Sequence, residues 1–143
     1  MTSFDSSIAV YAANGASPWH EAAKRFLLSL ALRKDVALCE LVLVELYLKL
    51  RNEKIFQRPL TAPQAAGVCQ NYRKNRAWTL IEAAPVMKEV WTQTAESGFA
   101  FRRIIDLLLA QTLRHHGVTD FATSNEKDFE GQGFNRVWNP LLV

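Results

Sequence analysis

Two acidic residues stand where the surrounding pattern asks for apolar ones. Glu45 is the only charge in LVLVELYL (41–48), and Asp106 is the only charge in IIDLLLA (104–110). A lone carboxylate in such company is costly unless it is paired, protonated or bound to a cation. Two further acids occupy turns: Asp5 follows TSF at the start, and Asp128 closes the polar run SNEKD. Carboxylates crowded together repel one another. A hard divalent cation such as Mg²⁺ or Mn²⁺ takes oxygen ligands and turns that repulsion into binding. Such a metal orients a water, lowers its pKa and offsets charge building on a phosphodiester. Acids clustered on a net-basic chain suit phosphodiester hydrolysis better than glycoside hydrolysis.

Each acid also has a purely local role open to it. Asp5 suits the N-cap of a helix beginning at Ser6 or Ser7. Glu45 has Lys49 one turn later, in ion-pair spacing. Arg102 and Arg103 precede Asp106 by one turn, and Asn125 could open another helix toward Asp128.

Other chemistries find little support. The chain has no GxGxxG, no Walker GK[ST] loop, no GxSxG and no HExxH. Of its three histidines, His115 and His116 are adjacent and point to different helix faces, and His20 lies far off in sequence. Basic residues do cluster. Arg51, Lys54 and Arg58 follow the Glu45 segment, Arg73, Lys74 and Arg76 form a second group, and GFAFRR sets Phe99 and Phe101 beside Arg102 and Arg103. Cations interleaved with aromatics suit single-stranded RNA, through phosphate contact and base stacking. The same residues would serve equally as a solvated face over a core phenylalanine. The four tryptophans are spread too widely for a stacking platform and fit core or interface packing better.

The elements that must position these acids read as alternating strands and helices. Thr2–Phe4 is a short strand, and SSIAVYAA after it is helical. Ser17 is a good N-cap with Pro18 at the first helical position, opening a helix with Ala22, Ala23, Phe26, Leu27, Leu30 and Ala31 on one face. Val36–Cys39 reads as a buried strand and Glu40–Leu50 as a helix apolar almost all round. Thr61 and Gln64 make a capping box, with Pro63 inside the first turn of a helix reaching about Lys74. Trp78–Ile81 is a strand. Pro85 starts a helix that Gly98 ends, and Arg103–His116 is a helix that Gly117 stops. Val118–Thr123 and Arg136–Trp138 complete the strands. With helices between successive strands, the expectation is an α/β fold: one domain, 1–143, with a mainly parallel central sheet flanked by helices. In such sheets the carboxyl ends of the strands converge on a crevice, so the four acids could share one cation site.

Composition sets the bounds. With 143 residues, 49% of them hydrophobic, the chain holds one ordinary core and is not disordered. No apolar run is long enough for a membrane span, and MTSFDSS lacks the basic start of a secretion signal. Cys39 and Cys69 sit in apolar surroundings, as reduced thiols of a cytoplasmic protein would. The 17 Lys and Arg against 14 Asp and Glu give a net charge of +3, a mild pointer to an anionic partner.

Taken together, the segments FDSSIAVYAA, SPWHEAAKRFL, LVLVELYLKLRN, IFQRPLTAPQA, RRIIDLLLAQTLRHHGVTDFATSNEKDF and FNRVWNPL resemble, in order and spacing, a PIN-domain ribonuclease. Within that family the likeness is to the VapC toxins of type II toxin–antitoxin pairs. The resemblance implies that Asp5, Glu45, Asp106 and Asp128 form the acidic Mg²⁺ (or Mn²⁺) site, with Ser7 and Asn125 in support. Ser124 and Asn125 replace a basic residue and an aspartate often found after the threonine. Asp120, inside its strand, is a weaker candidate. It further implies an RNA substrate, contacts to it from Phe101, Arg102 and Arg103, a homodimer, and a VapB-type antitoxin whose basic or aromatic segment blocks the acids. The alternative is a PIN-like module that binds RNA or protein without cutting.

Overall fold

Thr2–Phe4 (β1) is buried along its whole length, as a strand covered on both faces must be. The structure, a computed structural model, describes residues 1–142, the Phe101 side chain excepted. β1 pairs in parallel with Asp120–Ala122 (β4), with Phe4 opposite Ala122, and β4 pairs in parallel with Arg136–Trp138 (β5). Ala37–Cys39 (β2) pairs in parallel with Thr79–Ile81 (β3). A parallel bridge between Thr2 and Val36, with the Thr2 amide donating to Asp35 O at 2.8 Å, joins the two sets. The layer therefore runs β3-β2-β1-β4-β5.

Parallel neighbours need crossovers, and helices supply them: Ser6–Ala13 (α1), His20–Leu30 (α2), Glu40–Leu50 (α3), Ala62–Arg73 (α4), Met87–Thr94 (α5) and Ile104–His115 (α6). The expected α/β fold is what the chain adopts. Phe4, Leu38 and Phe121 on the strands meet Ile8, Leu30, Leu46, Leu109 and Leu113 on the helices in one core. Phe4 packs edge-on against Trp78 at 5.5 Å, and Phe121 stacks on Phe134 at 5.2 Å. A smaller cluster of Val86, Val90 and Leu107 fastens α5 to α6.

Several boundaries differ from the sequence reading. α2 begins at His20, and Ser17 instead closes the turn before it, accepting from the Trp19 amide at 3.1 Å. Pro18 belongs to that turn, so the first helical residue lies two positions later. α3 is not buried all round: Val44 and Leu48 are more than half exposed on its outer face. α5 starts at Met87 and stops at Thr94, short of Gly98. A single 3-10 turn, Phe101–Arg103, precedes α6. Trp78 and Trp138 pack against the core, whereas Trp19 and Trp91 are exposed. The capping box of Thr61 and Gln64 forms as expected. Gly117 follows α6 with φ +83°, the left-handed turn that its lack of a Cβ makes easy.

Candidate active site at the carboxyl ends of the strands

β1 ends at Phe4, and the Asp5 amide donates to Ala122 O at 3.0 Å, carrying the ladder one residue past both strands. Asp5 therefore stands at the carboxyl end of the sheet, beside the residue that leaves β4. It is 6% exposed and both its oxygens are held. One accepts from the Ser7 amide, which makes Asp5 the N-cap of α1. The other accepts the hydroxyl hydrogen of Thr123. The capping geometry fixes the carboxylate at the sheet edge.

Thr123 is a site residue that sequence reasoning misses. It is fully buried, and its Oγ1 also accepts from the Asn125 amide at 2.9 Å. Ser7 adds a second tie, its Oγ accepting from the Ser124 amide at 3.3 Å. The segment after β4 is thus stitched to the segment after β1. The sequence signal for Thr123 was a hydroxyl placed directly after a strand and ahead of a polar turn.

Glu45 lies mid-way along α3, with its Oε2 3.5 Å from the Ser6 hydroxyl that donates toward it. Lys49 stands 4.0 Å from the same oxygen and donates to Ser6 Oγ at 2.7 Å. Burial raises the Glu45 carboxyl above its ordinary range; Lys49 opposes this, and repulsion from Asp5 and Asp106 adds to it. Asp106 sits in the first turn of α6 and is pushed up to about 6, first by burial and then by Asp128 and Asp5, against Arg103 and Lys49. Those mutual repulsions put all four carboxylates in one electrostatic neighbourhood.

Asp128 ends a 3-10 turn, Glu126–Asp128, and no further helix opens there: Asn125 stands at the cap position with its side chain unused for capping. Arg103 is turned toward this turn, its Nη2 donating to Asp128 O at 2.8 Å, and its buried Nε has no partner. Arg102 is exposed. The Phe101 side chain lies outside the described residues, so that contact has no structural counterpart. Asp120, at the start of β4, is on the far edge from the acids. Cys39 is buried and Cys69 half-buried, and both are free thiols, held protonated by burial.

Among the described residues, no three His, Cys, Asp or Glu side chains are already gathered into a metal cage. What the fold provides is a set of oxygen donors in one electrostatic neighbourhood, Asp5 buried and Glu45, Asp106 and Asp128 half-buried. An oxygen-only donor set in which neighbouring charges help raise Glu45 and Asp106 fits a hard divalent cation, which relieves the repulsion as it binds.

Comparison with known proteins decides the family. Residues 3–134 match the PIN domain. This chain belongs to the PIN-domain family. It is 54% identical to Ribonuclease VapC24 of Mycobacterium tuberculosis strain H37Rv over 99% of this chain and 97% of the relative. The same figure holds for Ribonuclease VapC24 of strain CDC 1551 / Oshkosh, 54% over 141 residues. The likeness to VapC proteins drawn from its segments is therefore borne out. Two solved structures share the fold at low identity. Mycobacterium tuberculosis VapC20, described as a sarcin–ricin loop cleaving toxin, superposes with TM-score 0.59 at 17% identity, covering 85% of this chain and 87% of that one. FitAB bound to the IR36 DNA fragment gives TM-score 0.63 at 17% identity, covering 100% and 97%. PIN-domain ribonucleases of the VapC type are metal-dependent as a class. No helix among the described residues is long and apolar enough to cross a membrane.

Proposed function

We propose that this PIN-domain chain is a VapC-type toxin: an endoribonuclease, dependent on Mg²⁺ or Mn²⁺, that hydrolyses RNA phosphodiester bonds. The observation that supports the reading is Asp5 at the carboxyl end of β1 in one electrostatic neighbourhood with Glu45, Asp106 and Asp128, where burial and the nearby acids raise Glu45 and Asp106. Asp5, Glu45 and Asp106 hold the principal cation, and Asp128 completes the set. When bound, the cation supplies Lewis acidity, acidifying a water and offsetting charge on the phosphodiester. The chain's own residues do the rest. Thr123 and Ser7 fix Asp5 and the strand ends, so donor geometry needs little reorganisation on binding. Asn125 shapes the turn through its amide, and Arg103 holds that turn at Asp128. Arg102 and Phe101 serve as RNA contacts beside the acids. Water as nucleophile leaves a 5′-phosphate and a 3′-hydroxyl, with no part for the ribose 2′-OH.

The whole chain, 1–143, works as one nuclease domain in the cytoplasm. It is a homodimer through a helical face, and a VapB-type antitoxin neutralises it by placing a basic or aromatic segment over the acids. The rival, a PIN-like module that binds without cutting, draws on the lack of a preformed cage among the described residues. Incubating total and transfer RNA with purified protein, with Mg²⁺, Mn²⁺ or chelator, beside Asp106→Asn, separates the two. Metal-dependent cutting that the variant loses establishes the nuclease. Equal cutting by both exposes a contaminant, and no cutting by folded, antitoxin-free protein leaves the binding module standing.

A further inference from the structure

Lys49 follows Glu45 by four residues, the spacing of an ordinary surface ion pair on α3. A closed pair of that kind brings nitrogen and oxygen to about 2.8 Å. Here the ammonium stays 4.0 Å from Glu45 Oε2 and gives its hydrogen bond to Ser6 Oγ at 2.7 Å. Ser6 is 2% exposed and follows Asp5 in the chain, so the ammonium is moored on a buried hydroxyl beside Glu45. Its charge is felt by Asp106 as well as Glu45. An ammonium has three donors, and the one on Ser6 leaves others for a ligand. The side chain is 35% exposed, half-sheltered yet open to an incoming group. Arg103, another cation at the site, is turned inward, with its Nη2 donating to the carbonyl of Asp128.

A phosphodiester approaching four carboxylates meets repulsion that a cation between them must relieve. A surface pair locked on Glu45 would not be free to do so, whereas one moored on a neutral hydroxyl is. We propose that Lys49 is the phosphate-facing cation of this site: held on Ser6 beside Glu45, its ammonium takes a non-bridging oxygen of the RNA phosphodiester. The proposal rests on the ribonuclease reading given above.

The test compares the full chain with Lys49→Gln and Lys49→Arg, measuring RNA cleavage kinetics and, separately, Mn²⁺ affinity by calorimetry without RNA. Gln keeps a donor for Ser6 and loses the charge; Arg keeps the charge and secures the test if Gln folds poorly. Loss of one charge-assisted contact should lower kcat/KM about 10- to 100-fold in Lys49→Gln. Its Mn²⁺ affinity should be equal or tighter, because a neighbouring positive charge has gone. Lys49→Arg should recover part of the cleavage. Mn²⁺ affinity that falls together with cleavage would make Lys49 a mere prop for Glu45 and overturn the proposal, as would unchanged cleavage in Lys49→Gln or an Arg variant as inactive as Gln. Wild-type protein that cuts no RNA would bring down the ribonuclease reading first and this one with it, so the two failures look different.

Discussion

Thr123 donates its hydroxyl hydrogen to Asp5 Oδ2 at 2.5 Å, across 118 residues of sequence and between two neighbouring parallel strands. Both groups are buried, so neither can fall back on water. Thr123→Val keeps the shape and removes the donor, which should destabilise the fold by about 1–3 kcal/mol. Cleavage should drop with it, since Asp5 is then held by the Ser7 amide alone. Thr123→Ser retains the hydroxyl and should behave nearly as wild type in both respects. Urea unfolding in chelator, run beside the RNA assay, measures the two effects separately; a Val variant as stable and active as wild type would remove Thr123 from the site.

Asp106→Asn should abolish cleavage and yet stabilise the metal-free protein near neutral pH. The Asp106 carboxyl is pushed from 3.8 to about 6 in the folded protein, so folding favours its neutral form. A raised carboxyl contributes its stability fully below pH 3.8 and loses it as pH rises through about 6. Above that pH the charge is a burden that the amide does not carry. The group is partly solvated, so screening reduces the gain to about 1 kcal/mol. Unfolding midpoints in chelator should show the variant ahead at pH 8 and level with wild type near pH 4.

The sequence shows the acids because each breaks a pattern: Glu45 and Asp106 interrupt apolar runs, and Asp5 and Asp128 fall at turns. The alternation of strands and helices is equally plain there, and the parallel sheet follows. Helix starts are less legible. Ser17 and Pro18 are ideal opening residues, yet Ser17 spends its hydroxyl on the Trp19 amide in a local turn and α2 begins only at His20. The outer face of α3 misleads for another reason, since Val44 and Leu48 are apolar without being buried. Thr123 could not be singled out because its meaning lies in a partner 118 residues away. Arg103 reads as one of two equivalent arginines, and only the turn of the chain before α6 sends it inward and leaves Arg102 exposed.

Arg103→Leu distinguishes a tether from an RNA contact. The substitution removes the bond from Nη2 to Asp128 O, and with it the buried Nε that has no acceptor. Losing an unsatisfied donor offsets part of the lost bond, so stability should fall by only about 1 kcal/mol. The turn carrying Asp128 should loosen, visible as faster amide exchange over residues 124–130, and cleavage should fall about tenfold or more for loss of the charged contact. The salt dependence of RNA binding should stay the same, because no phosphate contact is lost. A shallower salt slope with unaltered exchange would return Arg103 to the RNA-binding surface.

Protons and divalent cations compete for the same oxygens, which fixes the pH dependence of metal binding. Asp106, at about 6, is largely charged at pH 7.5 and available to a cation, and burial raises the neighbouring Glu45 in the same direction. Below about pH 6 Asp106 takes up a proton, and Mn²⁺ affinity should then fall about tenfold per pH unit for that one site. Mn²⁺ at 100 times its Kd should add about 2.7 kcal/mol of stability at pH 7.5 by mass action. The same concentration should add far less at pH 5, where a proton holds the Asp106 carboxyl. Unfolding in Mn²⁺ against chelator at the two pH values measures the difference. In Asp106→Asn the stabilisation should be small at both, because the ligand whose titration drives the change is gone; a full Mn²⁺ response in that variant would place the cation elsewhere.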